Sequence, residues 1–232
     1  MRVSTMQHRT RRVGIAAAAS LLTFTGLCAS RATGDGTPAR VIARWLFDEG
    51  KGDVASDGVD GAANGKIVKA AWSEGRSGKA LTFEDFSLKN YLKPDVREAT
   101  RVVVPHSDRL NPPGPFTLRA VVFPTKDPVY YGGIFEKGRG YGASYRLILL
   151  RGLKVRAQAG AALTSVTSVD PLTLNAWHVV ELIFDGSLLH LQVDGKEQGK
   201  AENVKGPFTS GEEALIGERF SGKIDEVSLT AP

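Results

Sequence analysis

The chain has 232 residues, 24% charged and 42% hydrophobic, with one cysteine, a balance that excludes a disordered, collagen-like or disulfide-stapled protein. Its net charge of +5 comes from Arg2, Arg9, Arg11, Arg12 and Arg31; without these five of the 30 basic residues, 25 face 25 acids, which excludes an electrostatic footprint for nucleic acid. The 26 glycines exceed the usual share of about 7% and argue for many turns, hence many short strands.

Residues 1–32 read as an export signal. The arginines make a positive start, an apolar run covers 13–29, and Ser30-Arg31-Ala32 supplies a small-x-small cleavage site. The run is shorter than the roughly 20 residues of a spanning helix and is interrupted by Ser20, Thr23 and Thr25. Arg11-Arg12 hints at a twin-arginine signal, but Gly14 stands where a hydrophobic residue belongs. Leu27 before Cys28 argues against a lipid-modified cysteine. The mature part is expected to be exported, to the periplasm, cell surface or extracellular space. It reads as a polar linker, 33–40, and one domain, 41–232.

Strand-like runs follow in order at 41–47, 79–83, 101–104, 116–123, 133–137, 144–150 and 153–158, with Arg151-Gly152 as a two-residue hairpin turn. The segment 177–184 alternates, Asp185-Gly186 turns, 188–193 returns and Asp194-Gly195 turns again. Runs at 214–217 and 223–229 close the chain. In the last, Ile224, Glu226 and Ser228 alternate with Asp225, Val227 and Leu229. With no amphipathic helix, this pattern predicts an all-β sandwich or barrel.

From about 41 to 230 the landmarks resemble the laminin-G-like, concanavalin A-like lectin/glucanase domain. They are Trp45-Leu46-Phe47-Asp48-Glu49-Gly50, the polar turn 57–65, Trp72 with Gly75 and Gly78, Ala80-Leu81 with Phe83, Val102-Val103-Val104-Pro105, Trp177-His178, Val193-Asp194-Gly195-Lys196, Ile216-Gly217, and the stretch from Phe220 to Val227. The resemblance implies a two-sheet antiparallel jelly-roll sandwich. Residues 84–100 depart from it as an insertion, read as a surface loop or as one that shapes a binding surface.

Catalysis finds little support. The related glucanases place carboxylates on alternate residues of one strand, so that they share a face. Here Glu84-Asp85, Glu212-Glu213 and Asp225-Glu226 are adjacent pairs, and His106, His178 and His190 read as structural. No zinc spacing, nucleophile elbow or phosphate loop is present. The resemblance implies that the first and last strands are antiparallel neighbours, which would bring Asp48 and Asp225 to one rim. Two carboxylates with loop carbonyls suit calcium, which relatives bind, and equally suit turn amides. For sugar stacking, Trp45 and Trp177 are assigned to the core, which leaves Tyr130, Tyr131 and Tyr141, with Arg139 beside them, as ligand-binding candidates. The sequence thus points to an exported, non-catalytic module for a polysaccharide or glycoconjugate. The alternatives are a protein-interaction or adhesion domain with an envelope or extracellular partner, and a polysaccharide-cleaving enzyme.

Overall fold

The computed structural model describes residues 1, 39–84, 100–140, 143–160, 162–206 and 208–232. The leader with Cys28, most of the 84–100 insertion, and Tyr141 lie outside the described residues. Of two compact units, Met1–Arg31 and Ala32–Pro232, the second carries everything below.

Its strands are β1 Arg40–Trp45, β2 Val54–Ala55, β3 Gly65–Val68, β4 Ala71–Glu74, β5 Lys79–Phe83, β6 Arg101–Val104, β7 Phe116–Pro124 and β8 Tyr131–Lys137. They continue as β9 Tyr145–Leu150, β10 Lys154–Ala159, β11 Thr164–Thr167, β12 His178–Phe184, β13 Leu189–Val193, β14 Lys196–Ala201, β15 Ala214–Ile216 and β16 Gly222–Ala231. A 3-10 turn, Asp108–Leu110, precedes β7. The first sheet runs β14-β13-β12-β7-β16-β5-β4, with β1 also paired to β16; the second runs β11-β10-β9-β8-β15-β6-β3-β2. This is the expected antiparallel two-sheet sandwich. No helix among the described residues is long and apolar enough to cross a membrane.

The core follows from alternation. In β12, Val180, Leu182 and Phe184 point inward opposite Ala120, Leu118 and Phe116 of β7, while Glu181 points out opposite Arg119. The second sheet answers with Phe135, Tyr145, Leu147, Leu149, Val155 and Ala157. Trp45 is fully buried, and its indole N–H donates to the Ala63 carbonyl at 2.8 Å. Trp177 corrects the expectation. It is half-buried and lies 5.2 Å from the ring of Phe123, which belongs to the outward set of β7.

Turn chemistry explains most connections. Asp194 and Gly195 both have positive φ, 52° and 75°, as a tight two-residue hairpin requires. The β9–β10 connection is a three-residue loop and not the expected two-residue one. Its Gly152 and Leu153 have φ of 78° and 58°, and their N–H groups donate to Asp127 Oδ1 at 2.8 and 3.3 Å.

Two of the register shifts bear on the sites below. A register shift in β16 between Ile224 and Val227 puts Ile224 in the core with Val227 and Leu229, contrary to simple alternation. The shift releases Asp225 to one side and Glu226 to the other. A second shift lies in β8 between Gly133 and Phe135. It turns Phe135 inward and pairs Glu136 with Arg146 on the outward face.

Candidate functional site

Two places could serve a ligand: the rim where β1 and β16 meet, and the outward face of β8 to β11.

At the rim, β1 and β16 are antiparallel neighbours, with Trp45 opposite Val227. Asp48 and Asp225 are thereby brought to one turn, residues 75–79. Asp225 Oδ2 accepts from the N–H groups of Arg76 and Ser77 at 2.6 and 3.0 Å, and Asp48 Oδ1 accepts from Lys79 N–H at 2.9 Å. Gly78 has φ of +66°, and a Cβ there would lie 2.1 Å from Asp48 Oδ1, so the carboxylate needs glycine beneath it. Burial, with the charges of Asp48 and Glu226, pushes the Asp225 carboxyl up despite its two amide donors. The described residues hold no group of three or more acidic, histidine or cysteine side chains that could hold a metal ion. One oxygen of each carboxylate, Asp225 Oδ2 and Asp48 Oδ1, is held by turn amides, whereas calcium takes roughly six to eight oxygens. The pair acts as a turn clamp. That role predicts one melting temperature in calcium and in chelator, and a loss of about 2 kcal/mol in Asp225→Ala from two freed amides. A calcium-dependent rise in Tm, abolished in Asp225→Asn, would overturn it.

The second place is built by register. Strand β8 pairs with β9, β9 with β10 and β10 with β11, and residues directly opposite share a face. One outward row is Glu136, Arg146, Gln158 and Ser165; the next is Gly133, Ile148, Arg156 and Thr167; the third is Tyr131, Leu150 and Lys154. Arg146 sits in the middle. Its Nη1 lies 3.2 Å from Glu136 Oε2, and its Nε donates to Gln158 Oε1 at 2.7 Å. The Glu136 side chain is only 3% exposed. A Cβ on Gly133 would lie 2.5 Å from Glu136 Oε1, so the carboxylate lies flat on the strand where glycine leaves room. Burial pushes the Glu136 carboxyl up; Arg146 opposes this and Glu218 adds to it.

Tyr131 and Arg139 flank this network, Tyr131 opening β8 and Arg139 following its end. Arg219 Nη1 donates to the Tyr131 hydroxyl at 2.6 Å. The guanidinium carbons of Arg219 and Arg146 lie 5.1 and 6.0 Å from the Tyr131 ring centroid. The ring is thus gripped by cations and is not a bare platform. Burial pushes its phenol up. Arg139 Nη2 lies 2.5 Å from Glu213 Oε1, its Nη1 lies 3.8 Å from Glu218, and its backbone N–H donates to Glu212 Oε2 at 2.8 Å. Tyr130 is 60% exposed in the loop before β8. Tyr141 lies outside the described residues.

The residues that sequence reasoning passed over are Glu136, Arg146, Gln158 and Arg219. Arg146 and Gln158 had a signal: both sit on the polar side of two strands joined by a hairpin. A three-residue loop, read correctly, pairs them. Arg219 had none, since 88 residues separate it from Tyr131. The histidines hold turns. His178 Nδ1 lies 2.8 Å from Asp194 Oδ2, and His190 lies 3.3 Å from Asp185 and 3.1 Å from Glu197. The insertion is tied at its base, where Thr100 Oγ1 accepts from Glu84 N–H and donates to Glu84 O, both at 2.9 Å.

Comparison with known proteins agrees with this architecture. A sequence model described as the concanavalin A-like lectin/glucanases superfamily matches residues 79–230. A search of curated proteins finds no match. Among solved structures, domain 4 of AbnA, a GH43 extracellular arabinanase from Geobacillus stearothermophilus, in complex with arabinotriose, aligns with a TM-score of 0.63 at 15% identity, over 84% of this chain and 93% of that one. The binding domain of Paraclostridial Mosquitocidal Protein 1 aligns at 0.62 and 10% identity, over 82% of this chain and 48% of that one. Trypanosoma rangeli sialidase in complex with sialic acid aligns at 0.57 and 17% identity, over 82% of this chain but only 30% of the sialidase. At these identities the likeness speaks to fold alone, and that fold serves binding domains and glycosidases alike.

Proposed function

This chain belongs to the concanavalin A-like lectin/glucanases superfamily, and on that footing we propose that it is an exported carbohydrate-binding module whose ligand lies on the outward face of β8 to β11. One observation carries the reading. Across three adjacent strands, a carboxylate, a guanidinium and an amide are locked in one row by their own hydrogen bonds, with Tyr131 beside them. Sugar sites need such groups fixed before the ligand arrives, because ordering them afterwards consumes binding energy. The domain of the arabinanase that shares this fold is complexed with arabinotriose, which supports a glycan as the ligand class.

A binding role is favoured over cleavage. Glu136, the buried carboxylate of this face, lies against Arg146 and over Gly133, so a glycosidic oxygen has no approach to it. Asp225 and Glu226 part to opposite sides, one to the turn and one to Arg44 and Arg119. Neither Glu136 nor the Asp225–Glu226 pair offers an acid and a nucleophile on one face.

In affinity electrophoresis against immobilised glycans, Tyr131→Ala is expected to weaken binding at least tenfold with an unchanged melting curve. Tyr130→Ala should change it less than threefold. Full retention by Tyr131→Ala would move the ligand off this face. The protein-partner reading has its own basis at one end of the sandwich. Val129 and Val169 are 39% and 72% exposed, and the loops at 127–130 and 169–172 both bond to the β9–β10 turn. Folded protein that binds no glycan would make that end the next target.

A further inference from the structure

The charges on the outward face of β8 to β11 are not evenly paired. Its carboxylates are engaged: Glu136 by Arg146, and Glu213 and Glu218 by Arg139. Three cations have neutral partners instead. Arg219 donates to the Tyr131 hydroxyl at 2.6 Å, Arg156 to Thr167 Oγ1 at 2.9 Å, and Lys154 to the carbonyl of Val169. None of the three has a carboxylate within ion-pairing distance among the described residues. The field of Glu136 reaches Arg219, but that carboxylate is already held by Arg146.

Arg219 is also placed at a backbone cost. Its φ is +63°, a left-handed conformation that long side chains seldom adopt. The turn around it is pinned on both sides. Gly133 N–H donates to the Glu218 carbonyl at 2.7 Å, and Phe220 is fully buried in the core. Glycine or asparagine would fit that backbone with less strain but would bring no cation. The guanidinium is then fixed in place by the phenol of Tyr131. Arg156 stands two strands away on β10, about 10 Å across the sheet. Between them on β9 lie Ile148, which is buried, and Leu150, which is half-buried and gives the ligand an apolar edge.

We propose that the ligand of this face is an acidic glycan whose sugars carry carboxylates, and that Arg219, with Arg156 two strands away, reads the charge. The proposal rests on the carbohydrate-binding reading above. A guanidinium meets a carboxylate through two parallel hydrogen bonds, which a lone ammonium cannot reproduce. A carboxylate entering here gains Arg219 and Arg156 without displacing an existing ion pair.

Calorimetry of the full chain tests this with four probes: oligogalacturonate, the same oligomer methyl-esterified, a neutral arabino-oligosaccharide and a heparin-type sulfated oligosaccharide. The expected result is at least tenfold tighter binding of the free acid than of its ester, declining as salt rises. Arg219→Gly, which suits the left-handed backbone, should erase that preference and keep or raise the melting temperature. Arg219→Gln should erase it as well. Equal binding of acid, ester and neutral sugar, unchanged in both variants, overturns the inference and leaves the carbohydrate reading standing. Preference for the sulfated probe overturns the carboxylate assignment. Failure of all four probes with folded protein removes the carbohydrate reading together with the inference.

Discussion

Asp57→Ala is expected to lower the unfolding free energy by about 4 kcal/mol. Its side chain is 0% exposed and is surrounded by donors. Oδ1 accepts from the N–H groups of Arg44 at 3.0 Å and Val59 at 3.2 Å, Oδ2 accepts from Ala63 N–H at 3.3 Å, and Arg109 Nη1 lies 3.3 Å away. Removing the carboxylate leaves three amides without an acceptor and deprives Arg109 of one of its two carboxylate partners, the other being Asp60. The loop from Asp57 to Asn64 then has no centre. That loop also supplies the Ala63 carbonyl that satisfies the Trp45 indole at 2.8 Å, so the damage reaches the core. Domains of this size are stable by only about 5–15 kcal/mol, and urea denaturation measures the change directly. Asp57→Asn keeps one acceptor oxygen and should lose about half as much. A loss below about 1 kcal/mol in Asp57→Ala would show that water replaces the carboxylate.

Lys137→Met is expected to cost about 3 kcal/mol, although it replaces a buried charge with an apolar chain of similar length. Lys137 is 0% exposed. It follows Glu136 on β8 and pairs with Tyr145 of the core, so its stem runs inward. Its ammonium donates to the carbonyls of Ser210, at 2.9 Å, and Glu212, and meets His106 Nδ1 at 3.2 Å. All three protons are used, which is how a buried lysine is tolerated. Burial lowers its pKa, opposed by Glu212 and Asp108. In Lys137→Met the two carbonyls face an apolar chain, and the 210–213 segment loses its tether. Hydrogen exchange of the Glu212 and Glu213 amides should rise alongside the loss in urea stability. Unchanged stability with unchanged exchange would mean that the segment is held by Asn111, whose side chain also bonds Ser210.

Both residues show what alternation alone leaves hidden. Asp57 lies in a glycine-rich polar stretch that reads as a turn, and its type suits a turn. Nothing local says that Arg44, 13 residues earlier, and Arg109 converge on it. Lys137 ends an apolar run and reads as the charged, solvated end of a strand. Its burial depends on loops from beyond residue 200 folding over it. The strands missed in the sequence, β2, β3, β4, β11 and β14, are short or polar, as in Lys-Glu-Gln-Gly-Lys-Ala of β14. Such segments become strands because a neighbour offers its edge, not because of their own pattern.

The architecture was legible because its determinants are local. Period two in 178–184, the Asp-Gly turn after β13 and the order of landmarks along the chain depend on neighbours in sequence, and they specify two antiparallel sheets. The meeting of Asp48 and Asp225 was legible too, once the first and last strands were taken as partners. Tertiary structure alone decided the register shifts at Gly133–Phe135 and Ile224–Val227. It also decided the burial of Glu136 and Lys137 on opposite sides of one strand, and the grip of Arg219 on Tyr131. A shift of one residue changes which face a side chain takes. That shift is set by pairing between strands far apart in sequence, where hydrogen-bond partners and close packing select one register.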